Sequence, residues 1–199
     1  MLNGITLWGT PNDPLVSGIE ICCIEKQVPY RKELCDPGDR GIRRKNPFLT
    51  VPIVEWGDTV LYEPWAIATF LDERFDGPVM QPPTGSHERA MMTQWGAVII
   101  NRIAPAVHGL TDDQPDPTIP IQLATADKAL AQANYLAGGK LTLADCLLAP
   151  CIASLAQTAS GRELLATSYT WLNRWVERMA QRQSYRTAML STEEVVSHD

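Results

Sequence analysis

The sequence predicts a small α/β domain followed by an all-helical domain. β-rich segments occur only within residues 1–76 of the 199 residues. A Pro/Gly-rich segment, residues 77–86, follows them and is typical of a linker. Over residues 87–199, apolar residues recur at helical spacing and the β signals vanish. A chain of this length can bury a proper core, as one large domain or two small ones.

The first domain begins with a predicted strand, turn and helix. Residues 5–8 alternate in polarity as a half-buried strand does, and residues 9–14, with two prolines, form a dense turn signal. Apolar residues then recur at helical spacing at Val16, Ile19, Cys22 and Cys23. We expect this helix to end at Val28-Pro29.

A second strand, a hairpin and a second helix are predicted next. The extended run 30–34 precedes a polar stretch, residues 36–46, whose basic cluster is interpreted as a solvated loop. The β-rich segments 51–56 and 59–62 are joined by Gly57-Asp58, a strong hairpin signal. Pro64 suits the first turn of a helix that should end near Gly77-Pro78.

The second domain shows four stretches of helical periodicity. The four stretches are residues 91–99, 123–133, 147–155 and 171–179. Residues 112–120, with three prolines and three aspartates, are expected to form a loop. Thr142 and Asp145 have the spacing of a capping box, which predicts a structural role for Asp145 at a buried helix start.

Composition excludes several classes of protein. The net charge of -6 and the pI near 5.1 argue against binding nucleic acid or an anionic membrane surface. No apolar run reaches the roughly 18 residues of a membrane span, and the N-terminus does not resemble a signal peptide. We therefore expect a cytoplasmic protein. The five cysteines and three histidines show no metal-ligand spacing, so no metal and no disulfide is expected.

Five motifs in this order resemble the cytosolic glutathione transferases, in particular their serine-type and bacterial members. The motifs are residues 7–11, 46–52, 61–67, 140–145 and 171–185. The resemblance covers residues 5–189 and implies the glutathione transferase fold. In that fold a thioredoxin-like domain (1–76) holds the glutathione site, and a C-terminal helical bundle (87–199) holds the acceptor-substrate site. It also implies a homodimer and a role in detoxification.

The resemblance places glutathione against the loop that enters the second β-rich segment. Val51 would pair its backbone N–H and C=O with the cysteinyl part of glutathione, Pro52 would be a cis proline, and Thr50 belongs to the same binding set. The residues themselves agree, since Val-Pro at a strand entry suits a cis peptide that offers free backbone groups. A plain edge strand is the alternative.

One departure from the family pattern is Glu63-Pro64, where relatives usually have Glu-Ser. The serine hydroxyl and N–H hold the γ-glutamyl carboxylate at a helix N-terminus, and proline supplies neither donor. Glu63 would still pair with the γ-glutamyl amine, with Arg40 or Arg43 as candidates for the carboxylate. Alternatively, Pro64 is a good first helical residue in a protein that has lost the site.

A second departure is Asp13, which stands where serine-type relatives have the activating serine. An ionised aspartate cannot donate a hydrogen bond, and its charge repels a thiolate. Asp13 must therefore act as a base, be protonated, or cap the helix, and capping is favoured. Thr10 and then Asn12 are the nearby donors that would stabilise the thiolate of glutathione, and Ser17 is a weaker candidate.

The acceptor pocket is expected to include Trp8, Trp95 and His108, with core packing as the alternative for the aromatic residues. Cys22 and Cys23 are interpreted as buried hydrophobes. The predicted function is an enzyme, a glutathione transferase that conjugates the glutathione thiolate to a small hydrophobic electrophile. The alternative is the same fold with weakened or lost glutathione binding, used as a binding module or a specialised thiol transferase or lyase.

Overall fold

The computed structural model describes residues 4–36, 38, 40–108 and 116–196. The elements of the N-terminal part are β1 (Ile5–Gly9), α1 (Pro14–Glu25), β2 (Tyr30–Leu34), α2 (Arg40–Lys45), β3 (Ile53–Trp56), β4 (Thr59–Tyr62) and α3 (Pro64–Arg74). The strands form one sheet in the order β2-β1-β3-β4, with β2 parallel to β1 and the other neighbours antiparallel. This confirms the predicted α/β domain and its hairpin.

The short helix α2 corrects the interpretation of its segment as a loop. Four of its six residues are basic, so the segment has no apolar periodicity. Ile42, only 2% exposed, nevertheless anchors it to the rest of the domain. Lys45, at the end of α2, also forms an ion pair with Glu55 on β3.

The C-terminal part is helical, as predicted. Its elements are α4 (His87–Val98), a π-helical segment (Ile99–Ile103), α5 (Ala104–His108), α6 (Ile119–Leu130), α7 (Leu143–Leu155), α8 (Ala159–Ser168), α9 (Thr170–Ala180) and α10 (Gln183–Val196). The helices α8 and α10 have no counterpart among the four predicted stretches. Of the predicted loop 112–120, residues 112–115 lie outside the described part of the chain, and α6 begins at Ile119.

Close packing of α1 against α7 joins the two parts. A Cβ atom on Gly18 would lie 2.9 Å from Leu147 Cδ2 and 3.2 Å from the carbonyl oxygen of Cys146. Only glycine therefore permits this approach of the two helices. At the far end of α1, Glu25 accepts two hydrogen bonds of 2.7 Å from Arg182, which precedes α10.

The capping box at the start of α7 is confirmed. Asp145 is fully buried and accepts hydrogen bonds from four groups: Leu136 N at 3.0 Å, Thr142 N at 3.0 Å, Thr142 Oγ1 at 2.7 Å and Trp175 Nε1 at 2.9 Å. Burial raises the pKa of Asp145, and these four hydrogen bonds oppose that rise. The carboxylate thus connects the loop before α7 to α9.

The segment between α3 and α4 is held against the first domain. Asp72 accepts a hydrogen bond from Met80 N at 3.0 Å and forms a buried ion pair of 3.2 Å with Lys26. Lys26 also donates to the carbonyl oxygen of Pro78 at 3.2 Å.

Within the described ranges, no single helix has the length and apolarity to cross a membrane. The pair Leu143–Leu155 and Ala159–Ala166 has that length and apolarity only when the two helices are taken together, and they are bent by 116° relative to each other.

Candidate active site

A cleft of about 740 Å³ opens between the two parts of the chain. The turn before α1 and the loop before β3 form one wall, and the π-helical segment and α5 form the other. Its lining residues are Thr10, Pro11, Asp13, Pro14, Leu15, Leu49, Thr50, Val51, Ile100, Ala104, Pro105 and His108. π-helical turns occur often at functional sites. Here the segment is followed directly by the cleft residues Ala104 and Pro105.

The loop that enters β3 has unusual backbone geometry where it lines the cleft. The Val51-Pro52 peptide is cis, as predicted. Leu49, in the same loop, has a positive φ angle of 60°, which is uncommon for a residue other than glycine; the other non-glycine residues with positive φ in the described part of the chain, Asn12, Gln27 and Glu63, do not line the cleft. Such conformations persist where the surrounding structure enforces them, and they cluster at functional sites.

Val51 presents an unpaired peptide group to the cleft. It is half-buried and precedes β3, and no described residue forms a hydrogen bond with its backbone N–H or C=O. A short extended ligand can therefore pair with both groups, as a strand added to the sheet would.

Asn46, which was not among the predicted site residues, holds the loop that carries Val51. Its fully buried side chain donates to Thr50 O at 2.9 Å and to Thr50 Oγ1 at 2.8 Å, and it accepts from Phe48 N at 3.0 Å. The Asn-Pro step opening the motif 46–52 was the available signal, since asparagine side chains bond to nearby backbone in turns.

Asp13 is the N-cap of α1, as the favoured interpretation predicted. Its Oδ1 accepts from Leu15 N at 2.8 Å and from Val16 N at 3.1 Å. No described residue is hydrogen-bonded to its Oδ2. Burial raises the pKa of Asp13, and the two backbone N–H groups and the charge of the nearby His108 oppose that rise.

The two candidate donors differ in position. Thr10 lies in the cleft, and no described residue forms a hydrogen bond with its hydroxyl. Asn12 is exposed on the turn and is not among the residues that line the cleft. Ser17 is buried inside α1. Of these three residues, Thr10 is the one that lines the cleft.

The residues expected at the γ-glutamyl end lie outside the cleft lining. Glu63 is exposed and makes no capping hydrogen bond, and Pro64 is the buried first residue of α3. Arg40 and Arg43 are exposed on α2. The structure does not bring either guanidinium into the 740 Å³ cleft.

Of the three predicted acceptor-pocket residues, the structure brings His108 into the cleft. Trp8 points to the opposite side of β1 from the buried Leu7, where its Nε1 donates to Glu55 at 2.6 Å and Lys45 Nζ lies 4.6 Å from its ring centroid. Trp95 is 3% exposed and belongs to the core. The faces of β1 and α4 that these two tryptophans occupy keep them out of the cleft.

The cysteines do not contribute a nucleophile to the cleft. Cys22 and Cys23 are fully buried, as predicted, and burial raises the pKa of the Cys23 thiol. Among the described residues, no group of three or more His, Cys, Asp or Glu is arranged to hold a metal ion.

A mixed sheet with a cis-proline loop, joined through a cleft to a helical bundle, is the architecture of glutathione transferases. Residues 14–74 match the N-terminal domain of glutathione S-transferases, and residues 111–183 match their C-terminal domain. The chain belongs to the glutathione S-transferase family. Its placement among the serine-type members stays a prediction.

Curated relatives cover most of the chain. Glutathione S-transferase F14 of Arabidopsis thaliana is 29% identical over 170 residues, covering 76% of this chain and 67% of the relative. Glutathione S-transferase hmp2 of Hypomyces subiculosus is 26% identical over 190 residues, covering 83% and 89%. A stringent starvation protein A homolog of Haemophilus influenzae is also 26% identical over 190 residues, covering 91% and 88%.

Solved structures share the fold at lower identity. Poplar glutathione transferase F1 has a TM-score of 0.83 at 22% identity, covering 96% of this chain and 99% of the other. A theta class glutathione S-transferase from Xanthomonas axonopodis pv. citri, solved with glutathione bound, has a TM-score of 0.77 at 24% identity, covering 93% and 96%. These similarities establish the fold of the chain.

Proposed function

We propose that this protein is a glutathione transferase that joins the glutathione thiolate to a small hydrophobic electrophile. The observation that carries the proposal is that one cleft is lined both by Val51, whose backbone is unpaired among the described residues, and by Thr10. The cysteinyl backbone of glutathione pairs with Val51, and its thiol then points toward Thr10. Leu15, Ile100 and Ala104 supply an apolar surface for the electrophile.

Thr10 has to stabilise the thiolate without much help from α1. A helix N-terminus ordinarily favours an anion through its free N–H groups. Here Asp13 already occupies the N–H groups of Leu15 and Val16. The Thr10 hydroxyl is thus the donor left to lower the pKa of the bound thiol.

Glutathione binding and conjugation test this proposal together. Glutathione at 100 times its dissociation constant should stabilise the protein by about 2.7 kcal/mol in a thermal or urea melt. The protein should also accelerate the reaction of glutathione with an activated aryl chloride. Absence of both effects would mean that the protein has the fold of a glutathione transferase but not its activity. That outcome would revive the alternative of lost glutathione binding, which the relatives named as glutathione transferases do not favour.

Pro64 offers no hydrogen-bond donor to the γ-glutamyl carboxylate, so Pro64→Ser should tighten glutathione binding. A new hydroxyl and N–H at the start of α3 can each donate to the carboxylate, and a hydrogen bond to a charged group is worth about 1.5–3 kcal/mol. We expect the dissociation constant from calorimetry to fall about tenfold or more. The control is Pro83→Ser in the exposed segment before α4. An unchanged constant for Pro64→Ser would mean that another group already holds the carboxylate.

We propose further that two copies of the chain form a homodimer and that the protein acts in the cytoplasm, in detoxification. An exposed apolar face near the sheet edge supports the dimer. Phe48 is 67% exposed and packs on Tyr62 with ring centroids 5.8 Å apart, and Val60, 39% exposed, lies two residues from Tyr62 on the edge strand β4. Single exposed hydrophobes need no explanation, but a cluster of them indicates an interface.

Replacing Phe48 should therefore weaken self-association. Truncating a large aromatic side chain at the centre of an interface typically costs 2 kcal/mol or more, so Phe48→Ser should raise the dimer dissociation constant by about tenfold or more. Sedimentation velocity over a concentration series measures this shift. Val79→Ser, at an equally exposed apolar residue in the segment before α4, serves as the control. A wild-type protein that stays monomeric over the whole concentration series would contradict the proposed homodimer.

A further inference from the structure

A second cavity, the distal cavity, has a volume of about 600 Å³ and lies at the other end of α1 from the cleft. The turn after α1, the turn of the β3–β4 hairpin and the end of α3 enclose it, and it shares no lining residue with the cleft. The 12 residues of α1 rise roughly 18 Å, so the two sites are well separated. A cavity of this size is suited to a small molecule.

Aromatic rings form one wall of the distal cavity. Trp56 and Phe75 line it, with ring centroids 6.0 Å apart. Phe70 packs on both, with its centroid 5.8 Å from Trp56 and 6.2 Å from Phe75. Tilted and edge-to-face packing of this kind fixes the three rings against one another. Because Trp56 and Phe75 are only half-buried, a flat ligand can still contact them.

Arg74 brings to this wall a positive charge that no described acid neutralises. Its guanidinium carbon lies 4.4 Å from the ring centroid of Trp56 and 5.8 Å from that of Phe75. Among the described residues, none forms a hydrogen bond or an ion pair with this guanidinium. Stacking on the rings holds the group in place and leaves its N–H groups available. A guanidinium presented in this way can bind a carboxylate through two parallel hydrogen bonds.

Two exposed carboxylates also line the distal cavity. Asp58 lies in the hairpin turn and Asp76 follows α3, and the side chain of neither is bonded to a described residue. Lys26 lines the cavity as well, but the buried carboxylate of Asp72, 3.2 Å from its Nζ, matches its charge. The cavity thus presents one unmatched cation and two unmatched anions beside an aromatic wall.

We propose that the distal cavity binds a free aromatic amino acid in its zwitterionic form. The ring of the ligand stacks on Trp56 and Phe75, and its carboxylate pairs with Arg74. The ammonium group pairs with Asp58 and Asp76. A residue inside a peptide chain has neither free group and a terminal residue has only one, so the free amino acid is the ligand that satisfies all the charges. This inference does not depend on the proposed transferase activity.

Calorimetric titration with L-tryptophan and two analogues tests the proposal on the wild-type protein. L-tryptophan should bind with a dissociation constant of about 1 mM or below. Indole-3-propionate lacks the ammonium group and tryptamine lacks the carboxylate, so each should bind about tenfold more weakly. The inference is overturned if L-tryptophan does not bind at about 10 mM, or if either analogue binds as tightly as L-tryptophan.

Arg74→Gln tests the site of the carboxylate. The substitution removes the guanidinium, so it should weaken L-tryptophan binding about tenfold and should not weaken tryptamine binding. Arg174→Gln is the matched control, because Arg174 is also exposed and stacks on a tryptophan, Trp171, at 4.8 Å in α9. An unchanged affinity for L-tryptophan in Arg74→Gln would place the ligand elsewhere, for example in the cleft, and would overturn the inference.

The double variant Asp58→Asn, Asp76→Asn should give the opposite pattern. It should weaken the binding of L-tryptophan and tryptamine about tenfold and should not weaken that of indole-3-propionate. The melting temperature should not change, since both side chains are exposed. A general disturbance of the cavity would weaken all three ligands alike. That outcome in both variants would show that the charged groups do not recognise the two ends of the amino acid, and it would overturn the inference.

Discussion

Thr10→Val should lower kcat/KM for conjugation of an aryl chloride about a hundredfold. Valine has nearly the shape of threonine and lacks the hydroxyl, so the change removes one donor to the thiolate and preserves the packing of the turn. Removing a single preorganised donor from a developing or bound anion typically costs 10²–10³ in rate. The effect should be large here because Asp13 already occupies the N–H groups at the start of α1.

The dissociation constant of glutathione should change little in this variant, because Val51 and not Thr10 holds the peptide part. A titration of the ultraviolet absorbance of the bound thiolate should show a higher thiol pKa than in the wild type. Thr59→Val, on the exposed edge strand β4, is the matched control. Unchanged activity in Thr10→Val would show that the Thr10 hydroxyl is not the donor to the thiolate.

Asp145→Ala should destabilise the protein by about 3–5 kcal/mol. The carboxylate accepts four hydrogen bonds in a fully buried position, and its removal leaves the N–H groups of Leu136, Thr142 and Trp175 without an acceptor. Each buried donor left unsatisfied costs about 1–3 kcal/mol, although losses within one network do not add fully. Urea denaturation gives the change in the free energy of unfolding.

A less buried capping aspartate provides the comparison for Asp145. Asp127 accepts hydrogen bonds from Trp171 N at 2.7 Å and Leu172 N at 2.9 Å at the start of α9. Loss of such a cap typically costs about 1 kcal/mol, so Asp127→Ala should be much milder. Equal effects of the two substitutions would show that the buried network around Asp145 adds nothing beyond the cap itself.

The sequence predicted the features that have a strong local signal. The hairpin at Gly57-Asp58, the cis proline at Pro52 and the cap at Asp13 depend on local chemistry, and the structure has each of them. The helix α2 was missed because its one apolar residue, Ile42, cannot show a period. The role of Asn46 was missed because its hydrogen bonds to Phe48 and Thr50 depend on the folded conformation of the loop, which a sequence does not display.

Some of the predicted site residues line the cleft and others do not. Thr10, Asp13 and Val51 fall in segments that the fold brings to one cleft, and His108 joins them from the second domain. Trp8 and Trp95 lie elsewhere because tertiary packing decided which face of β1 and α4 meets the core. Arg40 depends on the direction of α2, which no motif specifies.

A crystal structure of the protein with glutathione would show directly how the tripeptide binds. We expect the cysteinyl backbone to pair with the N–H and C=O of Val51 and the sulfur to lie about 3 Å from Thr10 Oγ1. We also expect that no donor from Pro64 reaches the γ-glutamyl carboxylate. Glutathione bound outside this cleft, or bound in it with its sulfur directed away from Thr10, would rule out the roles proposed for Val51 and Thr10.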